Sequence, residues 1–219
     1  MEKIKELNHV DFLYKPKLEY IGRCIDKIEN INILEFGVMK GRSTGFFLNL
    51  CNRLNGKLFS VDMNDHSKLF SDKRWTFIHS RDDNFELMDK INNKSFDVIY
   101  IDTLHEPNHV KKILYYYYNF LKVGGRVFID DINWLPYVKN SFKDSEYSEV
   151  INRRTFNKII EIYYKNFENL KLEISFCGTG TINFLKLNNS KLNEPKKIKN
   201  RIFGLRNLAR FFIRRKPKM

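Results

Sequence analysis

The chain has 219 residues, 42% of them apolar, with three cysteines and a formal net charge of +13. That length suits one α/β body with an appendage and can bury a sizeable core. No apolar run approaches the ~18 residues of a membrane span, the opening Met1–Glu6 is not signal-like, and the scattered Cys24, Cys51 and Cys177 form neither a disulfide framework nor a zinc cluster, so a reduced, cytoplasmic protein is expected.

In chain order, Leu18, Ile21, Ile25 and Ile28 recur at helical spacing and predict a helix over about 17–29. Ile31, Ile33, Leu34, Phe36 and Val38 then read as a short buried parallel strand. The strand breaks at Gly37 and Gly41, and Ser43-Thr44 opens a helix reaching about Leu54. Glycine lets backbone approach a ligand, and a helix N-terminus offers unpaired N–H groups to an anion. The spacing Glu35-x-Gly37-x-x-x-Gly41-x-Ser43 is looser than a dinucleotide-binding Gly-x-Gly-x-x-Gly. It resembles the first motif of class I S-adenosylmethionine-dependent methyltransferases, which implies cofactor contacts from Glu35, Phe36, Gly37, Gly41, Ser43 and Thr44.

A second strand, Lys57–Asp62, stops at an acid. In the fold that the resemblance implies, Asp62 lies beside the glycines and accepts the ribose hydroxyls, with Met63 next to it. A third strand, Trp75–His79, leads to Ser80-Arg81-Asp82, candidates to face adenine. Asp82 or Asp83 could equally cap a following helix through Phe85, Leu87, Met88 and Ile91.

The next block is more specific. A strand Phe96–Asp102 is followed by His105, a helix carrying Val110 to Leu121, Lys122-Val-Gly-Gly125, and a strand ending Asp130-Asp131. This order is similar to small bacterial sugar and natural-product O-methyltransferases with a catechol O-methyltransferase-type layout. The resemblance runs from about Asn30 to Leu187. It implies a doubly wound, Rossmann-like seven-stranded sheet, mostly parallel, closed by a C-terminal antiparallel hairpin. Lys171–Cys177 and Thr181–Leu185 around Gly178-Thr-Gly180 supply that hairpin. Tyr115–Tyr118 point all round a helix, which favours packing over a stacking platform. The polar and aromatic stretch Asn133–Val150 reads as a substrate wall or lid, followed by a helix from about Arg153 to Phe167.

The charge lies at the end of the chain. From Lys191 to Met219 eleven Lys/Arg stand against Glu194 alone, so that stretch carries +10 and the rest only +3. Ile202, Leu205, Leu208, Ala209 and Phe212 share one helical face, with Lys199, Arg206, Arg210 and Arg214 opposite. We therefore divide the chain into a body, 1–188, and a basic amphipathic tail, 189–219, suited to an anionic membrane surface. Docking on the body or on a second copy, and nucleic-acid contact, are the alternatives.

Methyl transfer from a sulfonium needs acceptor, methyl and sulfur in line, and removal of the acceptor's proton. Asp102, Asp130 and Asp131 could converge on a hard ion such as Mg2+, Asp102 also facing the cofactor, and His105 is the candidate base. Some relatives place an acidic base two positions after the first Asp. Here that position is Leu104, so the role does not carry over. The expectation is a methyltransferase acting on a hydroxyl of a sugar, glycolipid or small metabolite. The rivals are a metal-independent N- or C-methyltransferase and a nucleic-acid-binding module on the same fold.

Overall fold

The structure is a computed structural model and describes residues 11–92, 94–134 and 146–198. The expected tail helix, and most of the expected wall at 133–150, lie outside these residues.

Seven strands form one sheet in the order β3-β2-β1-β4-β5-β7-β6. They are β1 (Asn32–Phe36), β2 (Lys57–Asp62), β3 (Trp75–His79), β4 (Phe96–Ile101), β5 (Leu121–Asp130), β6 (Leu170–Ser175) and β7 (Thr181–Lys186). The first five run parallel, and β7 lies antiparallel between β5 and β6, as the expected closing hairpin requires. The helices are α1 (Asp11–Ile25), α2 (Arg42–Arg53), α3 (Pro107–Tyr117) and α4 (Glu146–Asn166), with 3-10 turns at Phe85–Lys90 and Tyr118–Phe120.

Strand side chains alternate between two cores, as the pleat dictates. Ile33, Leu58, Val98, Tyr100 and Phe128 pack with Ile21 and Ile25 of α1 and Phe47 and Leu50 of α2. Leu34, Phe36, Phe59, Ile99 and Ile101 pack on the other face with Val110 and Leu114 of α3 and Ile159 and Ile162 of α4. The central strands are therefore largely apolar on both sides, as a covered parallel sheet demands.

Register fixes the functional edge. Phe36 pairs with Val61 and with Ile101, and Ile101 pairs with Ile129. The residues that follow, Gly37, Asp62, Asp102 and Asp130, consequently share one end of the sheet. The chain turns one way from β1 and later returns to β1's other side as β4, so this edge holds the topological switch point where α/β folds bind ligands.

Four local expectations differ from the structure. The segment after Asp83 closes as a 3-10 turn rather than an α-helix, and neither Asp82 nor Asp83 caps it. Both carboxylates are engaged elsewhere, Asp82 by Thr103 and His109, Asp83 by Arg81. β5 begins at Leu121 and absorbs Lys122–Gly125 as an irregular start, with Gly124 at φ +80°. α1 begins at Asp11, ahead of the expected Lys17. α4 begins at Glu146, so its first turns take up the end of the stretch read as a wall.

The four tyrosines serve packing. Tyr117 and Tyr118 are buried, Tyr116 stacks on Phe85 with ring centroids 3.8 Å apart, and Tyr115 donates to the Asn193 carbonyl. Asn193 also meets Asn166 (Asn193 N–H to Asn166 Oδ1, 2.7 Å), and Glu194 pairs with Lys111. Leu192 packs against the core, and the Lys196 amide reaches the Glu161 carbonyl. The first ten residues assigned to the tail thus lie along α3 and α4.

Candidate active site

Gly37 is where β1 ends, hard against the backbone that follows β4. Its φ is +94°, and a Cβ there would sit 2.0 Å from the Asp102 carbonyl oxygen. The Asp102 amide donates to the Phe36 carbonyl and the Gly37 amide to Val61, so β1 and β4 remain locked right up to the break. Gly41, at φ +74°, is the left-handed N-cap of α2, and a side chain there would strike Phe70 at 2.8 Å.

Glu35 lies beneath this loop, fully buried, and does not line either chamber described below. Its Oε2 accepts from Thr44 Oγ1 (2.8 Å) and Ser60 Oγ (2.6 Å), and its Oε1 has no hydrogen-bond partner among the described residues. Burial pushes its carboxyl up to about 7, against the pull of the neighbouring hydroxyls. Glu35 and Thr44 therefore brace the loop from below. Phe36 likewise belongs to the core.

Two chambers open at the sheet edge. The larger, about 670 Å3, is lined by Gly37, Asp62, Met63, Arg81, Asp82 and His109 among others. Asp62 Oδ2 accepts from the Val38 (2.8 Å) and Met39 (3.2 Å) amides, and Oδ1 from the Asn64 amide (2.8 Å). Burial alone would raise its carboxyl, but these three donors together hold it below the usual range. A carboxylate oxygen has two acceptor directions, so Oδ2 is filled by its two amides, while Oδ1 keeps one for a ribose hydroxyl. Asp82 is buried, and its Oδ2 takes His109 Nε2 at 2.7 Å as well as the Thr103 hydroxyl. Ser80 lies outside the chamber, with its hydroxyl on the Arg81 carbonyl.

The smaller chamber, about 400 Å3, is lined by Tyr14, Arg42, Ser43, Asp102, His105 and Asp131 among others. It shares Gly37, Met39, Lys40, Asp102 and Thr103 with the larger one, so a group held in each would meet at that wall. Ser43 faces this second chamber. His105 Nε2 lies 3.6 Å from Asp102 Oδ1 and 3.3 Å from Asp131 Oδ2. The Thr155 hydroxyl of α4 donates to the His105 carbonyl and anchors its loop. Asp131 has φ +55°, a left-handed conformation that costs a non-glycine residue and tends to mark functional sites.

The acidic set differs from the expected Asp102, Asp130 and Asp131. Asp130 is completely buried and paired with Lys17 of α1, and it also accepts from Tyr100 (2.7 Å) and Thr181 (3.2 Å). Burial alone would raise its carboxyl, but Lys17 holds it below the usual range. The group within ion-holding distance, with ligand atoms inside 4.8 Å of one another, is Asp102, His105 and Asp131. Burial and the nearby carboxylates raise both Asp102 and Asp131. Lys17 balances one of three gathered carboxylates, which leaves room in the charge balance for a divalent ion.

Tyr14, Lys17, Lys40, Arg42, Thr103 and His109 did not stand out in the sequence.

The class now follows. Residues 34–132 match the family model described as a methyltransferase domain. The chain resembles a protein described as a caffeoyl-CoA O-methyltransferase from Staphylococcus aureus, at 17% identity and TM-score 0.61, covering 85% of this chain and 93% of that one. It also resembles the MycE methyltransferase of the mycinamycin pathway, in complex with Mg, S-adenosylhomocysteine and mycinamycin VI (18% identity, TM-score 0.56), over 83% of this chain but only 51% of that one. A third likeness is to a Podospora anserina methyltransferase bound to S-adenosylhomocysteine (12%, TM-score 0.60, 78% of each chain). No curated protein matches the chain. At these identities the solved structures establish the fold, a class I S-adenosylmethionine-dependent methyltransferase fold. Residues 34–132 thus carry the match to a methyltransferase domain, and the sheet around them has the fold of such enzymes.

Proposed function

We propose that the protein methylates a hydroxyl of a small molecule, a sugar or a related metabolite, with help from a divalent cation such as Mg2+. The observation that carries this reading is the shared wall of the two chambers, where Gly37, Asp102 and Thr103 border both. The larger chamber holds the adenosine, with Asp62 on the ribose and Arg81 and Asp82 towards the base. Asp102 and Asp131 would hold the cation, whose charge would stabilise the negative oxygen left when an acceptor hydroxyl loses its proton. His105 takes that proton at Nε2, and the Asp102 and Asp131 carboxylates stabilise the imidazolium formed. Asp130, already committed to Lys17, positions Tyr100 and the end of β5.

Supporting the metal reading is the donor set itself, two carboxylates and an imidazole gathered at one chamber. One imidazole nitrogen cannot both ligate and accept a proton, so in this reading the two carboxylates would hold the ion and His105 Nε2 stays free as the base. With an acceptor in hand, EDTA should stop turnover and Mg2+ restore it, and Asp131→Asn should lose turnover with S-adenosylhomocysteine affinity kept. His105→Ala should cost roughly 10²–10⁴ in rate and be partly rescued at high pH. Full activity in excess chelator would instead favour a metal-independent transfer.

We further propose that the basic segment 199–219 contacts an anionic membrane surface, supported by its charge and the apolar face Ile202–Phe212. No helix among the described residues is long and apolar enough to cross a membrane.

A further inference from the structure

Arg42 occupies an unusual position. It is the first residue of α2, half-buried, and it lines the smaller chamber with Lys40. Its guanidinium sits 5.1 Å from the centroid of the Tyr14 ring, and it forms no ion pair among the described residues. The Lys17 ammonium lies 4.4 Å from the same ring, but Asp130 and Thr179 occupy it. Of the two cations held by Tyr14, one is neutralised inside the fold and the other faces the chamber.

A guanidinium is planar, always charged and matched to two oxygens of a carboxylate or phosphate. The contact with the Tyr14 ring restrains this side chain, so less freedom is lost when an anion arrives. The N-terminal end of α2 adds the positive end of a helix dipole on the same side. The other charged groups lining this chamber, Asp102 and Asp131, lie with His105 at the reactive wall. The chamber therefore carries a guanidinium with no ion pair among the described residues as well as the acids at the reactive wall, and a neutral acceptor would leave that guanidinium unused.

We propose that the acceptor carries an anionic group, a carboxylate or a phosphate, which Arg42 binds with support from Lys40. This rests on reading the smaller chamber as the acceptor site. Arg42 is then a specificity determinant that turns the acceptor's hydroxyl towards His105.

The test uses full-length protein loaded with S-adenosylhomocysteine and Mg2+, titrated with glucose, glucuronate and glucose 6-phosphate. At least one anionic probe should bind tenfold or more tightly than glucose, and the pair of probes distinguishes carboxylate from phosphate. Arg42→Gln should erase most of that preference while S-adenosylhomocysteine affinity stays within about twofold. Arg42→Lys, which keeps the charge but not the fork, should retain a reduced preference and covers the case of an unfolded glutamine variant. Equal binding of all three probes would overturn the proposal. So would a tenfold loss of S-adenosylhomocysteine affinity in Arg42→Gln, which would reassign the residue to the cofactor's own carboxylate. Wild-type protein that binds no S-adenosylhomocysteine would instead bring down the assignment of the chambers, and this inference with it.

Discussion

Lys17 and Asp130, 113 positions apart in sequence, form a buried ion pair that ties α1 to the end of β5. Neither charge could stay in the interior without the other. Lys17→Met or Asp130→Asn alone should therefore destabilise the fold by about 3–5 kcal/mol. The double variant should recover much of that loss, because no orphaned charge remains. Urea unfolding of the three proteins measures the coupling, and simple additivity would mean the pair is not a unit.

This pair also marks the limit of the sequence. The glycines, Asp62 and the acids after β4 and β5 were legible because their chemistry is local. A left-handed turn needs glycine, and a strand-end carboxylate lies where register puts it. Lys17 looked like one more polar residue on an amphipathic helix. Only the packing of α1 against the sheet places it on Asp130, and so removes Asp130 from the acidic set expected to hold an ion. Arg42 and Tyr14 were hidden for the same reason, since their contact joins two helices. Asp82 read as either a ligand contact or a cap, and its partner His109 lies 27 positions away.

Glu35 should make stability depend on pH. Its folded carboxyl is raised from 4.5 to about 7, so between those values the folded state holds a proton that the unfolded state has lost. Stability from this group is full below about 4.5 and falls as pH rises through about 7. Glu35→Gln keeps an oxygen for Thr44 and Ser60 and carries no charge. Relative to wild type it should gain about 3 kcal/mol across that window, by chemical denaturation at a series of pH values. A difference that does not change with pH would mean Glu35 is ionised in the fold.

The tail should divide at Ile198, later than the sequence boundary at Asn188. Truncation after Ile198 keeps the contacts of Leu192, Asn193 and Glu194 with α3 and α4, and should leave stability within about 0.5 kcal/mol. Truncation after Asn188 removes them and should cost about 1–3 kcal/mol. Both should lose sedimentation with anionic liposomes. Undiminished sedimentation after either cut would remove the membrane proposal.

The larger chamber should bind the adenosine of the cofactor, and calorimetric titration of S-adenosylhomocysteine tests this most directly. Wild-type protein should bind in the micromolar range, roughly −8 kcal/mol. Asp62→Ala should weaken binding by about 1.5–3 kcal/mol, because it removes both the acceptor for ribose and the anchor of the Val38 and Met39 amides. Folded wild-type protein that shows no heat of binding at millimolar ligand, or an Asp62→Ala variant that binds as tightly as wild type, would contradict the assignment.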